Sequence, residues 1–261
     1  MFEFPQSTPD ADGMPDTETI EGSLVVCLHD DPGEVEAFLR AIFDSSYFMP
    51  PPNEVDLSEV LGILRLAHKY DVGYLYKRAI SHLETFFPIE LAAVGQESTI
   101  LNLHWDTELR SLAVLYEVGA TWLLPGAYYS VVQNSLEDKP WDQCPTTRKE
   151  LILQLCIRQR QATERLYHAL TPVSNCDPCN MSKFGFLKSR PHPNERLDQS
   201  PLHEGTFLKK AILIQNLCLD CRAEAQTEYD AVRAQIWSEL PTNCGLEGWD
   251  VLLKQREAVL A

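Results

Sequence analysis

The chain has 261 residues, 44% of them apolar and 9% aromatic, enough for one large domain or two small ones with a buried core. Its formal charge of −16 is concentrated at the front, where residues 1–40 carry ten acidic side chains against the single Arg40, a field that repels nucleic acid. No window approaches ~18 uninterrupted apolar residues. The stretch MFEFPQSTPDADGMPD also lacks the basic-then-apolar pattern of a secretory leader. Neither a membrane span nor export is expected, and cytosol or nucleus is the expected location.

In chain order, residues 1–22 are rich in Asp, Glu, Thr and Pro and read as an acidic flexible arm. Ser23 to Asp31 is a short β-branched apolar run bounded by Gly22 and an Asp pair, a strand signal. Asp31-Pro32-Gly33-Glu34 then opens a helix, with Asp31 as cap, Pro32 at the first helical position and Glu34 as a helix-start charge. Val35, Phe38, Leu39, Ile42 and Phe43 form its apolar face. A Pro-rich loop, Tyr47 to Asn53, leads onward.

Asp56 to Pro88 reads as two amphipathic helices joined at Asp71-Val72-Gly73. Asp56, with Glu59 three residues later, predicts a capping box. Val60, Ile63, Leu64 and Ala67 share one face of the first helix, and Leu75, Ala79, Leu83 and Phe86 one face of the second. Gly73 is expected in the left-handed position that ends the first helix, and Pro88 stops the second. Nothing in the pair has catalytic character; it has the build of a docking module.

This strand–helix–loop–helix–helix order resembles the C-terminal half of a BTB/POZ domain, in the version common among fungal proteins. The residues that carry the resemblance are Val25 to Asp31, the helix EAFLRAIFDSSY from Glu36 to Tyr47, and ILRLAHKYDV followed by YLYKRAISHLETFFP. It implies a partial BTB/POZ-like α/β domain over residues 23–90, with one short strand plus helices. Phe2-Glu3-Phe4-Pro5 resembles the end of that family's second helix, so the hairpin and two helices that supply most of the dimer surface are not represented. The family's homodimer is therefore not expected to carry over, and the helix pair is expected to expose apolar surface. The resemblance further implies protein partners, including cullin scaffolds of ubiquitin ligases and transcriptional cofactors.

Residues 100–170 read as all-helical, which makes the chain mainly α. One helix runs from Trp105-Asp106 through Leu109, Leu112, Ala113 and Tyr116 to Gly119. A second follows Leu123-Leu124-Pro125, and a third begins after Pro145-Thr146-Thr147 with Leu151, Leu155 and Ile157. Residues 171–261 are read as a Cys-containing loop, Thr171 to Gly205, and a long helix from about Phe207 to Leu240. A loop of that length inside a domain calls for something to tie it down.

Of eight cysteines, four form two CxxC pairs, Cys176 with Cys179 and Cys218 with Cys221. Two intervening residues let both sulfurs of a pair reach one tetrahedral ion at about 2.3 Å, so the four thiolates predict a closed structural zinc site pinning loop to helix. His192 and His203 are alternative ligands. The competing reading is buried thiols, since Cys218 lies among Ile214, Leu217 and Leu219 and a free cysteine packs well. The 38 residues between the pairs also exceed the usual knuckle spacing. A redox pair ranks last, because neither CxxC follows a strand in a βαβ setting.

No phosphate loop, nucleophile elbow or H-E-x-x-H is present. His29, His68 and His82 read as packed or surface histidines, the five tryptophans as scattered, and Arg148, Lys149, Arg158, Arg160 and Arg165 as a solvated face. The expectation is a non-enzymatic interaction module that binds neither nucleic acid nor membrane. The alternative is a zinc-stabilised regulatory protein whose specific activity lies in the C-terminal half.

Overall fold

Helix signals dominate the sequence, and a computed structural model bears this out over the residues it describes: 19–20, 23–25, 28–96, 98–101, 105–133, 146–188, 202 and 216–261. Among the described residues there are nine α-helices, and none is long and apolar enough to cross a membrane. The chain divides into two units, residues 1–32 and 33–261. In the first, Thr19–Ile20 (β1) pairs antiparallel with Ser23–Leu24 (β2). The expected strand from Ser23 to Asp31 is thus confined to its first two residues. Residues 28–31 join no ladder, and residues 26–27 lie outside the described set, as does the acidic arm apart from Thr19 and Ile20.

The larger unit is built around Leu57–Lys69 (α2) and Gly73–Phe86 (α3), with Pro32–Phe43 (α1) ahead of them. Val55–Asp56 (β3), entering α2, pairs in parallel with Ile100–Leu101 (β4), a two-residue ladder too short for any alternation to announce it. Trp105–Glu117 (α4) and Leu124–Gln133 (α5) follow, separated by a single 3-10 turn, Thr121–Leu123. Thr146–Leu170 (α6), Asp177–Lys188 (α7), Leu219–Asn243 (α8) and Trp249–Leu260 (α9) complete the series.

The predicted apolar faces of α2 and α3 are buried, apart from Phe86 at the end of α3, which is half-buried, and much more of α2 is buried than predicted. Leu57, Leu61 and Leu66 join Val60, Ile63, Leu64 and Ala67 in the core, because α2 is flanked by both α3 and α4. The pair does not expose the apolar surface expected of it. That surface lies on α1, which turns Ala37, Phe38 and Ala41 inward and leaves Leu39 42%, Ile42 36% and Phe43 83% exposed.

Glu34 stands in the first turn of α1, as expected of a helix-start charge, yet it is buried. It is 7% exposed and ion-paired to both Arg65 of α2 and Arg110 of α4, so one carboxylate ties three helices. Gly62 permits this approach: a Cβ at that position would stand 2.9 Å from Cγ of Glu34. The capping box is also absent. Asp56 occupies the N-cap position without a side-chain capping bond, while Glu59 accepts a hydrogen bond from the Tyr47 hydroxyl at 2.8 Å.

At the turn between α2 and α3 the left-handed residue is Asp71 (φ 55°), and Gly73 instead begins α3. The left-handed position expected of Gly73 is therefore taken by Asp71. Asp71→Val should cost about 1–2 kcal/mol by forcing a β-branched residue into left-handed backbone. Gly73→Ala, which meets no atom within 4 Å, should stabilise by about 0.5 kcal/mol. Urea midpoints of the two variants would move in opposite directions.

The buried stripe of α4 is rotated from the predicted one. Glu108, Ser111, Leu112 and Leu115 face inward, whereas Ala113 and Tyr116 are exposed, because Glu108 is drawn in by the Ser130 hydroxyl at 3.2 Å. In α6, Leu155 is buried as expected, but Ile157 is exposed. Its basic residues make specific ties: Arg158 donates to Asn243 at 2.6 Å and Arg165 pairs with Glu239 at 2.7 Å, joining α6 to α8. α9 packs against the Thr121–Leu123 turn and grips α3 through Arg256 and Glu84 at 2.5 and 2.8 Å. The tryptophans are not all scattered, since Trp237 and Trp249 stack at 4.7 Å with 14° between their planes.

Candidate metal centre

The segment read as a loop from Thr171 to Gly205 contains α7, and the helix expected from Phe207 is described only from Leu219, residues 203–215 lying outside the described set. Both differences bear on the cysteines. Asp177 and Pro178 are the first two residues of α7, where Pro loses no helical bond and an acid complements the dipole. Cys176 immediately precedes the helix, and its carbonyl accepts the Asn180 amide at 3.0 Å. Cys218 stands in the same place before α8, its carbonyl accepting the Arg222 amide at 2.9 Å. Each CxxC therefore spans a helix start, the first sulfur just outside and the second in the opening turn.

The sulfur atoms of Cys176, Cys179, Cys218 and Cys221 all lie within 4.8 Å of one another. Bonds of about 2.3 Å to a tetrahedral ion require sulfurs about 3.8 Å apart, so modest closure satisfies a metal. All four are free thiols. Four sulfurs with no further ligand type make a closed coordination shell, the composition of a structural site. Two helix N-termini meet there, and their partial positive ends favour thiolate over thiol.

Burial is uneven: Cys179 and Cys221 are enclosed, Cys176 is half-buried and Cys218 is exposed. The buried-thiol reading fails for Cys218, whose neighbour Leu219 is 79% exposed. The Cys221 amide, followed by the adjacent thiols, draws the Cys218 thiol down to about 7. Cys179 accepts the Cys218 amide at 3.3 Å, which favours its thiolate, yet the surrounding thiols and burial push it up to about 12. Thiols so crowded resist losing their protons together unless a cation compensates the charge.

A supporting layer escaped the sequence reading. Asn180 clasps Ser174, its Oδ1 accepting the Ser174 amide at 3.1 Å and its Nδ2 donating to the Ser174 carbonyl at 2.7 Å. The Ser174 hydroxyl lies 3.3 Å from the sulfur of Cys221 and accepts from Nζ of the buried Lys183 at 3.2 Å. Lys183 is thereby a buried cation one hydroxyl away from the sulfurs, suited to offset the net negative charge that four thiolates leave on a divalent ion. Asn180 and Lys183 each follow a cysteine by four residues, the spacing that shares a helix face. His192 and His203 lie outside the described residues.

His82, the one buried histidine among those weighed, has a structural setting. Its Nε2 donates to the Met49 carbonyl at 2.8 Å, which leaves Nδ1 to accept from the Thr99 hydroxyl at 3.0 Å. Burial lowers its pKa below the ordinary 6.5. The folded state thus keeps the ring neutral while the unfolded chain takes up a proton near 6.5. The contribution is complete above that pH and falls below it, by at most about 1.4 kcal/mol per unit. His82→Asn should flatten this part of a pH–stability curve measured between pH 7 and about 5.

Comparison of the chain with protein-family models, with curated proteins and with solved structures gave no match.

Proposed function

We propose that the protein is a non-enzymatic interaction module whose C-terminal half is stapled by a structural zinc ion held by Cys176, Cys179, Cys218 and Cys221. The single observation that carries this reading is the convergence of four sulfurs from two helix starts. Thiolate ligands select zinc over harder divalent ions, and a full set of four leaves no position for a substrate. The test is metal analysis of protein purified reduced and without chelator. One zinc per chain is expected, lost on Cys176→Ser with Cys218→Ser. Metal-free protein with unchanged thermal stability in the double variant would overturn it.

The partner-binding element in this proposal is α1, in the manner of a BTB/POZ adaptor to a cullin scaffold or transcriptional cofactor. Support comes from the helix–loop–helix–helix order from Pro32 to Phe86 and from the exposed Leu39, Ile42 and Phe43 at i, i+3, i+4 spacing, the pattern of a helix that docks into a groove. Phe43→Asp should abolish co-elution with a purified cullin scaffold or cofactor without lowering stability. Unimpaired co-elution would place the contact elsewhere.

A further inference from the structure

The four sulfurs of the metal centre differ in what can reach them. Cys179 and Cys221 are enclosed and Cys176 is half-buried, whereas Cys218 is exposed on the residue that leads into α8. Elsewhere Cys244 is 3% exposed, and Cys156 packs against the main core. Cys27 and Cys144 lie outside the described residues. A small polar oxidant therefore meets the centre first at Cys218, the one thiol among the described residues that is open to water.

A second sulfur stands ready to resolve that oxidation. Cys221 follows three residues later in the opening turn of α8, its sulfur within 4.8 Å of the others. Residues three apart on a helix are neighbours, so closing a disulfide between them rearranges the start of one helix only. The same sulfurs also carry hydrogen bonds between the α7 segment and α8. The Cys218 amide donates to the Cys179 sulfur at 3.3 Å, and the Cys221 thiol donates to the Ser174 hydroxyl at 3.3 Å. A disulfide within the α8 pair takes two ligands from a metal and removes the Cys221 thiol proton that Ser174 accepts. A disulfide from α8 to α7 would instead keep the two helices tied.

We propose that the four-cysteine centre is a peroxide-sensitive switch, in which oxidation of Cys218 and its capture by Cys221 release the zinc and free α7 from α8. It rests on the structural-zinc reading above. The Cys218 thiolate attacks one oxygen of hydrogen peroxide; the S–O bond forms, the O–O bond breaks, and hydroxide leaves to take a proton from water. The Cys221 thiolate then attacks the Cys218 sulfur; the S–S bond forms, the S–O bond breaks, and a second hydroxide leaves. The two sulfurs together lose two electrons, and the peroxide ends as two waters. A dithiol reverses the change by exchange, after which the four thiolates take up zinc again.

The test uses the full-length wild-type chain, loaded with zinc and freed of excess metal. Hydrogen peroxide is added, freed zinc is read with a chromogenic chelator, and disulfides are mapped by peptide mass spectrometry. One zinc should appear for each Cys218–Cys221 disulfide formed, and dithiothreitol should restore zinc binding. In a parallel reaction a dione that traps sulfenic acid should label Cys218 ahead of Cys176, Cys179 and Cys221. A chain that holds no zinc before peroxide overturns the metal reading and the switch together. A chain that holds zinc and keeps it under peroxide overturns the switch alone. So does a disulfide that joins α7 to α8, zinc release without a disulfide, or a first label on any sulfur other than Cys218.

Discussion

Stripping the proposed zinc from the four-cysteine centre is expected to release α7 and the start of α8 while α2 to α5 stay folded. The reason lies in how few large apolar side chains, among the described residues, are buried at that corner. Its satellite core consists of Cys179, Cys221, Leu217 and Ala225, with Cys176 packed against it. Only Leu217 is a large aliphatic, and Met181 and Phe184 of α7 are largely exposed. A twelve-residue helix with so small an apolar contact is marginal alone in water. Structural zinc supplies about 10–16 kcal/mol in small domains near pH 7, ample to reverse that. Hydrogen exchange should show amides 177–188 losing protection on chelation, and Cys221→Ser should reproduce the effect without chelator. Amides of α2 should be unaffected. Equal protection of α7 with and without metal would remove the staple from the account.

The second large effect is expected at Glu34. Glu34→Ala leaves Arg65 and Arg110 facing each other across the space that the carboxylate filled. Breaking a fully buried pair costs about 3–5 kcal/mol, and here the arginines are partly hydrated, so about 2–3 kcal/mol is expected. Gly62→Ala attacks the same contact from the other side, since its Cβ would strike Glu34 Cγ. The two changes should be partly non-additive: Glu34→Ala removes the 2.9 Å clash with Cγ, but Cβ and Cα of residue 34 remain 3.2 and 3.3 Å from the added methyl. Urea denaturation of both single variants and the double variant measures this. Simple addition of the two losses would mean that Gly62 is needed for some other reason.

Much of this was legible in the residues. Helical spacing located the buried positions of α2 and α3, and two CxxC pairs named the sulfurs that meet. What the sequence hid is specific. Glu34 and Glu108 are carboxylates in buried stripes, and no periodicity argument places a charge inward when its partner lies 76 or 22 positions away. The left-handed Asp71 was missed because glycine is the default residue for that backbone, whereas Asp adopts it only occasionally. α7 was taken for loop because Pro178 and Asn180 count as breakers, although a first turn suits both.

The clasp between Arg256 and Glu84 joins positions 172 apart. At translation rates of 5–20 residues per second, on the order of 10–30 s separate the emergence of α3 from that of the helix that covers it. During that interval Glu84 and the neighbouring surface of the nascent chain stay open to chaperones, so the order of synthesis, and not only the final contacts, shapes how safely this protein reaches its fold.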